Sequence, residues 1–271
     1  MRCHYFSDLH LESQDFSPAL PQGEVLIIAG DLCHARCLAP GANDRYGIEQ
    51  RSRTLRFIDR TLANFAHVLL VPGNHEHYDG VFDETAELLR SNLAGVTVLD
   101  NSSVVIDGIH FFGTTLWTDF DRRSQACMDG VRRRCGEFFF VKKKRGDAAD
   151  RLACSKFQPE DALAAFDSSW QALQRHLTAT PTARTVVVSH HAPSLVGLNA
   201  AHSLNGLDGA FASDLDGKLA GWPSIATWVH GHTHVRRSYR VGSTMVHTNC
   251  RGFEGRDESA KRFSPNAYFD V

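Results

Sequence analysis

Five short apolar runs in this chain each end at a cluster of side chains that can bind a metal ion. The clusters read Ser7-Asp8-Leu9-His10, Gly30-Asp31, Gly73-Asn74-His75-Glu76, Ser189-His190-His191 and Gly231-His232-Thr233-His234. A random distribution of the fifteen histidines would not repeatedly place carboxylate, amide and imidazole groups after apolar runs. Because the ends of strands meet at one edge of an α/β sheet, the recurrence predicts one metal site built from several loops.

The spacing within the clusters suits coordination of cations. Asp8 and His10 are separated by one residue, so in an extended chain their side chains point to the same side. Asp31 has two carboxylate oxygens and could bridge two ions. The glycines Gly30 and Gly73, like Gly231, would let the backbone turn as each strand ends. Imidazole and carboxylate together favour manganese, iron, zinc or a related ion over calcium or magnesium, which prefer oxygen ligands throughout.

The composition is that of a globular protein and identifies no partner. The 271 residues carry a net charge of -2, which fits neither a disordered acidic chain nor a uniformly basic nucleic-acid binder. No run approaches the roughly 20 apolar residues of a membrane span, and no signal-peptide pattern is present, so we expect a cytoplasmic protein without a membrane partner. The seven cysteines include no C-x-x-C pair, which fits reduced thiols.

Short runs rich in valine and isoleucine predict the strands of an α/β fold. These runs lie at residues 24–30, 67–71, 97–99, 104–112, 185–189, 226–230 and 245–248. Two helices are predicted from apolar periodicity, with core faces at Leu55, Ile58, Leu62 and Phe65 and at Leu163, Phe166, Trp170, Leu173 and Leu177. Helices alternate with the early strands, whereas the later strands resemble hairpins. We therefore expect mixed sheets in a single domain over residues 1–271.

One segment, at about residues 119–158, is more basic than the rest of the chain. Between residues 122 and 156 it has eleven basic and four acidic side chains, interrupted by Phe138, Phe139 and Phe140. Such a surface could bind a phosphate chain, which makes nucleic acid a candidate partner. The more common alternative is a solvated insertion whose phenylalanines anchor it to the body of the protein.

Taken together, the clusters resemble the motifs of the calcineurin-like metallophosphoesterases. The pattern D-x-H, G-D, G-N-H-E, H-H and G-H-x-H is complete, follows that family's order and spans residues 8–234. Each block alone is a weak signal, but their joint occurrence is specific. The resemblance implies an α/β fold that is a four-layer sandwich of two mixed β-sheets flanked by helices, with a binuclear metal site at the strand ends.

The same resemblance implies a set of metal ligands. The ligands of one ion would be Asp8, His10, Asp31 and His234, and those of the other Asp31, Asn74, His190 and His232. Asp31 would then bridge the two ions. His190 is preferred to His191 because it comes first after its strand, as the ligand of the family does.

Other residues near the motifs are candidates for roles in binding and catalysis. By resemblance, His75 would steady or protonate the leaving oxygen of the substrate. Arg251 could reach a phosphate oxygen, although the family often has a proline where Cys250 stands, which leaves the shape of this loop open. Glu76 could orient the surrounding groups, and a surface position is an alternative for both Glu76 and His77.

The function implied by the resemblance is hydrolysis of a phosphoester by a binuclear metal enzyme. Its cofactors would be two divalent ions, namely manganese, iron, zinc or nickel with manganese favoured, and a hydroxide bridging them would attack the phosphate. Two ions, two carboxylates and a hydroxide leave a site of about +1, which suits an anionic substrate.

The sequence does not choose firmly among substrates. A phosphodiesterase is slightly favoured over a phosphomonoesterase, because no additional phosphate clamp is evident beyond Arg251. A nuclease is a further alternative, supported only by the basic segment. A non-catalytic scaffold is less favoured, because such proteins tend to lose ligands or the catalytic histidine. The metal, the natural substrate and the oligomeric state stay open, and we expect residues 113–160 to decide substrate choice.

Overall fold

Strands and helices alternate along the computed structural model, which describes residues 1–145, 154–199 and 206–271. The strands are β1 (Arg2–Phe6), β2 (Gly23–Ala29), β3 (Phe65–Val71), β4 (Val96–Val98), β5 (Ser102–Ile106), β6 (Ile109–Thr114), β7 (Lys142–Lys144), β8 (Cys154–Lys156), β9 (Thr185–Ser189), β10 (Ile225–His230), β11 (Arg236–Val241), β12 (Thr244–Asn249) and β13 (Tyr268–Asp270). The helical segments are α1 (Arg45–Asn64), α2 (Thr85–Asn92), α3 (Phe120–Arg123), α4 (Gln125–Arg132), α5 (Glu137–Phe140), α6 (Pro159–Ala179), α7 (Asp208–Phe211), α8 (Asp216–Leu219) and α9 (Glu258–Arg262). Among these described residues, no helix is both long and apolar enough to cross a membrane.

Both large sheets are mixed, as the sequence predicts. In the first, of order β13-β1-β2-β3-β4, strands β1 to β4 run parallel and β13 pairs antiparallel with β1. In the second, of order β11-β12-β10-β9-β6-β5, the inner four strands run parallel and the two outer strands pair antiparallel with their neighbours. The run at 104–112 is a hairpin, in which β5 and β6 are joined at Asp107 and Gly108.

Apolar layers between and outside the sheets hold the structure together. In β2, Val25 and Ile27 belong to the core between the sheets. Leu26 and Ile28 point the other way and share an outer core with Phe57 of α1. The second sheet divides its side chains similarly, between the central core and an outer core that includes α6. Because both faces of each sheet are covered, its inner strands are apolar on both sides, and the predicted four-layer sandwich is confirmed.

The predicted core face is correct for α6 and partly wrong for α1. In α6 the buried residues include Phe166, Trp170, Leu173 and Leu177. In α1, Leu55 and Leu62 are 37% and 36% exposed, although Ile58 is buried. The face that packs also contains Thr61, whose hydroxyl donates to the Ile58 carbonyl at 2.8 Å. Because this local bond satisfies a polar side chain, the helix buries a threonine that an apolar pattern does not mark.

Two edge strands of the large sheets are absent from the sequence prediction, as are both strands of the small sheet β7-β8. β11 is rich in arginine and mostly exposed at the edge of the second sheet, and β13 is a short strand at the edge of the first. Charged or short edge strands discourage pairing with other chains. They therefore lack the apolar pattern from which the inner strands were predicted.

The basic segment starts with a left-handed turn. All four residues of α3 have a φ between 50° and 67°, a conformation that costs roughly 1–2 kcal/mol per residue for non-glycine side chains. Phe138 is buried, whereas Phe139 and Phe140 are 46% and 54% exposed. One phenylalanine thus anchors the segment and two do not. Its residues 146–153, which include Arg151, lie outside the described residues, and its status as an insertion in a single domain stays a prediction.

A glycine of β6 leaves no room for a side chain beside the first sheet. A Cβ atom at Gly113 would lie 2.3 Å from Cβ of Leu99 and 2.7 Å from Cγ1 of Val71. We therefore expect Gly113→Ala to lower the free energy of unfolding by about 1–3 kcal/mol, because overpacking forces its neighbours to shift. Urea unfolding followed by circular dichroism would measure the change. Gly217→Ala, where nothing lies within 4 Å, is the control, and equal stability of the two variants would contradict the prediction.

Candidate functional site

The metal-binding clusters of the sequence meet at the ends of five parallel strands. Strands β1, β2 and β3 of the first sheet and β9 and β10 of the second each lead directly into one cluster. Five candidate ligands have left-handed backbones with φ between 48° and 64°: Asp8, His10, Asp31, His232 and His234. Such conformations are strained for residues other than glycine and occur often at functional sites. Part of the backbone strain of the described residues therefore lies at the predicted site.

The glycines before the ligands serve the site mainly by leaving space. Only Gly30 of the three predicted turn glycines has a positive φ, at 84°. A Cβ atom at Gly73 would lie 2.2 Å from Oδ1 of Asp31, and one at Gly231 would lie 2.8 Å from Oδ2 of Asp8. At Gly231 the Ala29 carbonyl oxygen would be nearer still, at 2.7 Å, so these two glycines are required by close packing rather than by the turn.

One group of candidate ligands consists of Asp8, His10 and His234. Nε2 of His234 lies 3.2 Å from Nε2 of His10 and 3.3 Å from Oδ1 of Asp8. The other ring nitrogens face carboxylates, because Nδ1 of His10 is 2.8 Å from Glu12 and Nδ1 of His234 is 2.6 Å from Asp257. If each Nδ1 donates its proton to that carboxylate, both Nε2 atoms present lone pairs to one point. These residues therefore fit a metal cation, which can accept all three ligands.

A second group contains Asn74, His190 and His232 beside Asp31. Nδ1 of His190 donates to the Ala29 carbonyl at 2.9 Å, so Nε2 is the ring nitrogen that can bind a cation once it has lost its proton. That nitrogen lies 3.0 Å from Oδ1 of Asn74, 3.2 Å from Nδ1 of His232 and 3.3 Å from Oδ1 of Asp31. Several acceptor atoms thus converge where a cation would satisfy them together.

Asp31 lies between the two groups. Its Oδ1 faces His190, and its Oδ2 lies 4.0 Å from Nε2 of both His10 and His75. The residue is 1% exposed. Although burial favours the neutral acid, the charges of His190 and His75 hold the pKa of Asp31 well below its usual value. A carboxylate in this position can share its oxygens between two cations, as the sequence analysis expected.

The electrostatics of the site favour positive charge. Burial disfavours the imidazolium of His190, but the Asp31 carboxylate outweighs burial and raises the pKa of His190 to about 9. Burial also opposes protonation of His234, whose hydrogen bonds to Asp257 and Asp8 raise its pKa to about 10. Protons held this strongly must leave when a metal binds, because the ligand form of histidine is neutral.

The structure brings His190 into the site and leaves its neighbour outside both groups. The ring of His191 lies 3.2 Å from the Thr115 carbonyl through Nδ1 and stacks on Trp117 with ring centroids 5.1 Å apart. Burial, followed by the charge of His190, lowers the pKa of His191 to about 3. This geometry favours His190 as the ligand.

His75 lies at the edge of the site, where its side chain is 20% exposed. Its Nδ1 is 3.0 Å from Oε1 of Glu12, and its ring stacks on Tyr78 with centroids 4.4 Å apart. Burial disfavours its charge, but Asp31 and Glu12 outweigh burial and raise the pKa of His75 to about 9. These two carboxylates thus favour the protonated form of His75. The sequence analysis missed Glu12, although its i+2 spacing from His10 continues the alternation of Asp8 and His10.

Glu76 is an internal residue, so its alternative placement on the surface is wrong. It is 1% exposed and accepts hydrogen bonds from the backbone N–H groups of Asp31 at 2.9 Å, Leu32 at 2.6 Å, Cys33 at 3.1 Å and Gly73 at 2.5 Å. Burial and the nearby charge of Asp31 raise the pKa of Glu76 to about 7. The Glu76 side chain thus connects the loop after β2 to the loop after β3.

His77 is also buried, so its alternative placement on the surface is wrong as well. Its Nδ1 lies 2.8 Å from Oγ1 of Thr85.

A cavity of about 250 Å³ opens over the candidate ligands. Its lining includes the candidate site residues Asp31 and His232 together with Arg134, Glu137 and Phe211. Two of these wall residues belong to the basic segment in which we expected substrate choice to be decided. The sequence did not single out Arg134 from the other basic residues of that segment.

Arg251 does not line this cavity. Its guanidinium is buried and donates to the Asp15 carbonyl at 2.6 Å, to Glu254 at 2.6 Å and to the Leu9 carbonyl at 3.4 Å. These bonds join the C-terminal loop to the loop after β1. The structure therefore places Arg251 in a supporting position, and the sequence had no means to distinguish this from binding of substrate.

Most of the basic segment is neutralised by carboxylates from other parts of the chain. The pairs are Arg122–Asp214, Arg123–Asp167, Arg132–Glu160, Lys143–Asp83, Lys144–Glu84 and Arg145–Asp161. They join the segment to neighbouring loops and to α6. The described part of the segment is therefore less available to a phosphate chain than its net charge implies.

A two-sheet α/β sandwich with imidazole, amide and carboxylate groups gathered at its strand ends is the architecture of a metallophosphoesterase. The chain belongs to the calcineurin-like phosphoesterase family, whose sequence profile matches residues 1–236. This match confirms the resemblance inferred from the motifs. No curated protein matches the chain.

Solved structures share the fold at low sequence identity. The crystal structure of the phosphopantetheinyl hydrolase PptH from Mycobacterium tuberculosis is similar with a TM-score of 0.63 and 18% identity, covering 99% of this chain and 95% of that chain. A putative 5'-nucleotidase from Staphylococcus aureus is similar with a TM-score of 0.50 and 16% identity, covering 93% of this chain and 49% of that chain. At these identities the similarity concerns the fold alone.

The Glu76 network is testable without any substrate. We expect Glu76→Gln to lower the free energy of unfolding by about 1–3 kcal/mol, because an amide has one acceptor oxygen and leaves buried backbone N–H groups unpaired. Urea unfolding at pH 8, above the Glu76 pKa of about 7, would measure the change. The control is Glu49→Gln in the exposed Arg45–Glu49 pair, for which we expect a change below about 0.5 kcal/mol. Equal changes in both variants would contradict this role of Glu76.

Proposed function

We propose that this protein is a binuclear metal-dependent phosphoester hydrolase that prefers phosphodiesters. The observation that carries the proposal is the convergence of acceptor atoms in two groups that share Asp31. One ion would be held by Asp8, His10, Asp31 and His234, and the other by Asp31, Asn74, His190 and His232. The mixed nitrogen and oxygen ligands support manganese, iron, zinc or nickel, with manganese favoured. Two such ions supply binding of the phosphate and acidification of the attacking water.

The protein itself contributes a proton donor beside the ligands. Nε2 of His75 is the ring nitrogen on the side of Asp31. Glu12 contacts Nδ1 and so fixes the orientation of the ring. His75 can then give the Nε2 proton to the leaving oxygen of the substrate, which improves the leaving group.

The shape of the cavity supports a diester over a bare phosphate. Leu207, Ala210 and Phe211 form an apolar part of the cavity wall. A phosphate group alone makes no use of such a wall, whereas the second ester substituent of a diester can pack against it. The ion pairs of the basic segment reduce the support for a nuclease. The presence of every motif residue argues against a non-catalytic scaffold.

We assign binding of a substrate phosphate oxygen to Arg134 instead of Arg251. The Arg134 side chain is exposed and lines the same cavity as Asp31, Asn74 and His75. Its guanidinium presents several donors in one plane, a geometry that matches phosphate oxygens. The assignment gives the basic segment a role in the site through one residue rather than through its net charge.

The decisive test compares a diester with a monoester. We expect manganese-loaded protein to hydrolyse bis-p-nitrophenyl phosphate faster than p-nitrophenyl phosphate, judged by kcat/KM from the release of p-nitrophenol. Asp31→Ala should abolish turnover, because the carboxylate shared by the two groups is lost. His75→Ala should lower kcat by about 10²–10⁴-fold, the usual contribution of a general acid.

The control for these variants is Asp59→Ala, since Asp59 is an exposed residue of α1 and should keep full activity. Preference for the monoester would replace the diester proposal with a phosphatase. If neither ester is turned over while two manganese ions are bound, hydrolysis of these esters is ruled out.

Arg134 yields a separate prediction about substrate affinity. We expect Arg134→Ala to raise KM for bis-p-nitrophenyl phosphate by about 10- to 100-fold, the equivalent of one charged hydrogen bond. The kcat value should change less if Arg134 binds the substrate and the transition state alike. The neighbouring Arg133 is exposed outside the cavity lining, so Arg133→Ala is a matched control. An unchanged KM in Arg134→Ala would rule out the assignment.

A further inference from the structure

We infer that the Tyr78 hydroxyl is a positioning group that sets which end of the Asn74 amide faces the metal site. This inference rests on the proposed function, because it concerns a ligand of the proposed second ion. It adds Tyr78 and Glu137, which lie outside the residues assigned above, to the groups on which metal binding depends.

An asparagine ligand has a problem of orientation that histidine and aspartate ligands do not share. Its amide has an oxygen at one end and an NH2 group at the other, and only the oxygen can bind a cation. Rotation of the amide by half a turn would present two N–H donors to the metal. Asn74 therefore needs a neighbour that distinguishes the two ends.

Tyr78 is placed to make this distinction. Nδ2 of Asn74 donates to the Tyr78 hydroxyl at 3.3 Å, while Oδ1 of Asn74 lies 3.0 Å from Nε2 of His190, inside the second group. The Tyr78 hydroxyl donates its own proton to Oε2 of Glu137 at 3.2 Å. Because that single proton is already used, the hydroxyl can only accept from Asn74, and it selects the NH2 end. The amide oxygen is thereby directed at the site.

The hydroxyl is itself held in place from two sides. The Tyr78 ring stacks on His75 at a centroid distance of 4.4 Å and an interplanar angle of 20°. On the other side, a Cβ atom at Gly136 would lie only 2.6 Å from the hydroxyl oxygen. Glu137 follows directly and is 5% exposed. Residues 136 and 137 of the basic segment thus both lie against the Tyr78 hydroxyl and fix its position.

The contact explains how a segment without any motif residue can act on the site. Glu137 contacts Tyr78, Tyr78 contacts Asn74, and Asn74 belongs to the acceptor group of His190. Such indirect partners of metal ligands typically change metal affinity by 10–100-fold when they are removed. The expected consequence is a loss of affinity at one ion site and not at both.

The test is calorimetric titration of the chelator-treated protein with Mn²⁺ alone. Wild type should bind two ions, and Tyr78→Phe should weaken one of them by about 10- to 100-fold while leaving the other unchanged. Phenylalanine keeps the ring against His75 and removes only the hydroxyl. Tyr268→Phe is the matched control, because Tyr268 is an exposed tyrosine of β13 outside the cavity lining. In this variant the Mn²⁺ affinities of both ion sites should equal those of wild type.

A second comparison separates orientation of the amide from general support of the fold. Asn74→Asp replaces the amide with a carboxylate, whose two ends are both oxygens. In the Asn74→Asp protein, adding Tyr78→Phe should therefore change Mn²⁺ affinity by less than about threefold, and a double-mutant cycle measures the difference. Thermal unfolding of the metal-free proteins would show that each variant is folded.

The outcomes distinguish this inference from the proposed function. Two ions in wild type with unchanged affinities in Tyr78→Phe would overturn the inference alone. A loss in Tyr78→Phe that persists in the Asn74→Asp protein would also overturn it, because the hydroxyl would then act by another route. Fewer than two ions in wild type would overturn the binuclear proposal and this inference together.

Discussion

The structure depends on a buried carboxylate, Asp31, whose two oxygens face ring nitrogens from both sheets. His190 comes from the second sheet and lies 3.3 Å from one oxygen, and His10 comes from the first and lies 4.0 Å from the other. A charge buried without partners would be strongly unfavourable. The strand ends of the two sheets must meet to bring these ring nitrogens to Asp31, so the geometry of the site depends on the packing of the sandwich.

Holding these groups together requires strained backbone and close contacts. Five candidate ligands have positive φ values, and Gly73 lies against Asp31 with no room for a side chain. Glu76 offsets part of this cost, because one carboxylate satisfies four backbone N–H groups from two loops. This part of the strain lies at the strand ends, whereas the strands behind them are regular and apolar. The regular strands of the sandwich thus support the strained backbone and close contacts of the site at its edge.

The basic segment shows why net charge is a poor guide to the role of a surface. Most of its described arginines and lysines pair with carboxylates, and its contacts with the site come through individual residues. Arg134 lines the cavity, and Glu137 reaches Asn74 through Tyr78. The left-handed turn α3 leads into this segment from the end of the second sheet. These features depend on where the chain is placed rather than on its composition.

The sequence by itself determined the family, the inner strands and the residues that converge at the site, because each apolar run ends directly at its motif. It could not identify Glu12 as a neighbour of His75 or Glu137 as a neighbour of Tyr78, since each contact joins residues far apart in the chain. For the same reason, the sequence suggested Arg251 as a residue that binds the substrate phosphate. In the structure Arg251 is buried and bonded to neighbouring loops, and Arg134 lines the cavity instead. The local sequence pattern shows which side chains follow each strand. Only the packing of the two sheets decides which of these side chains come into contact with residues from other parts of the chain.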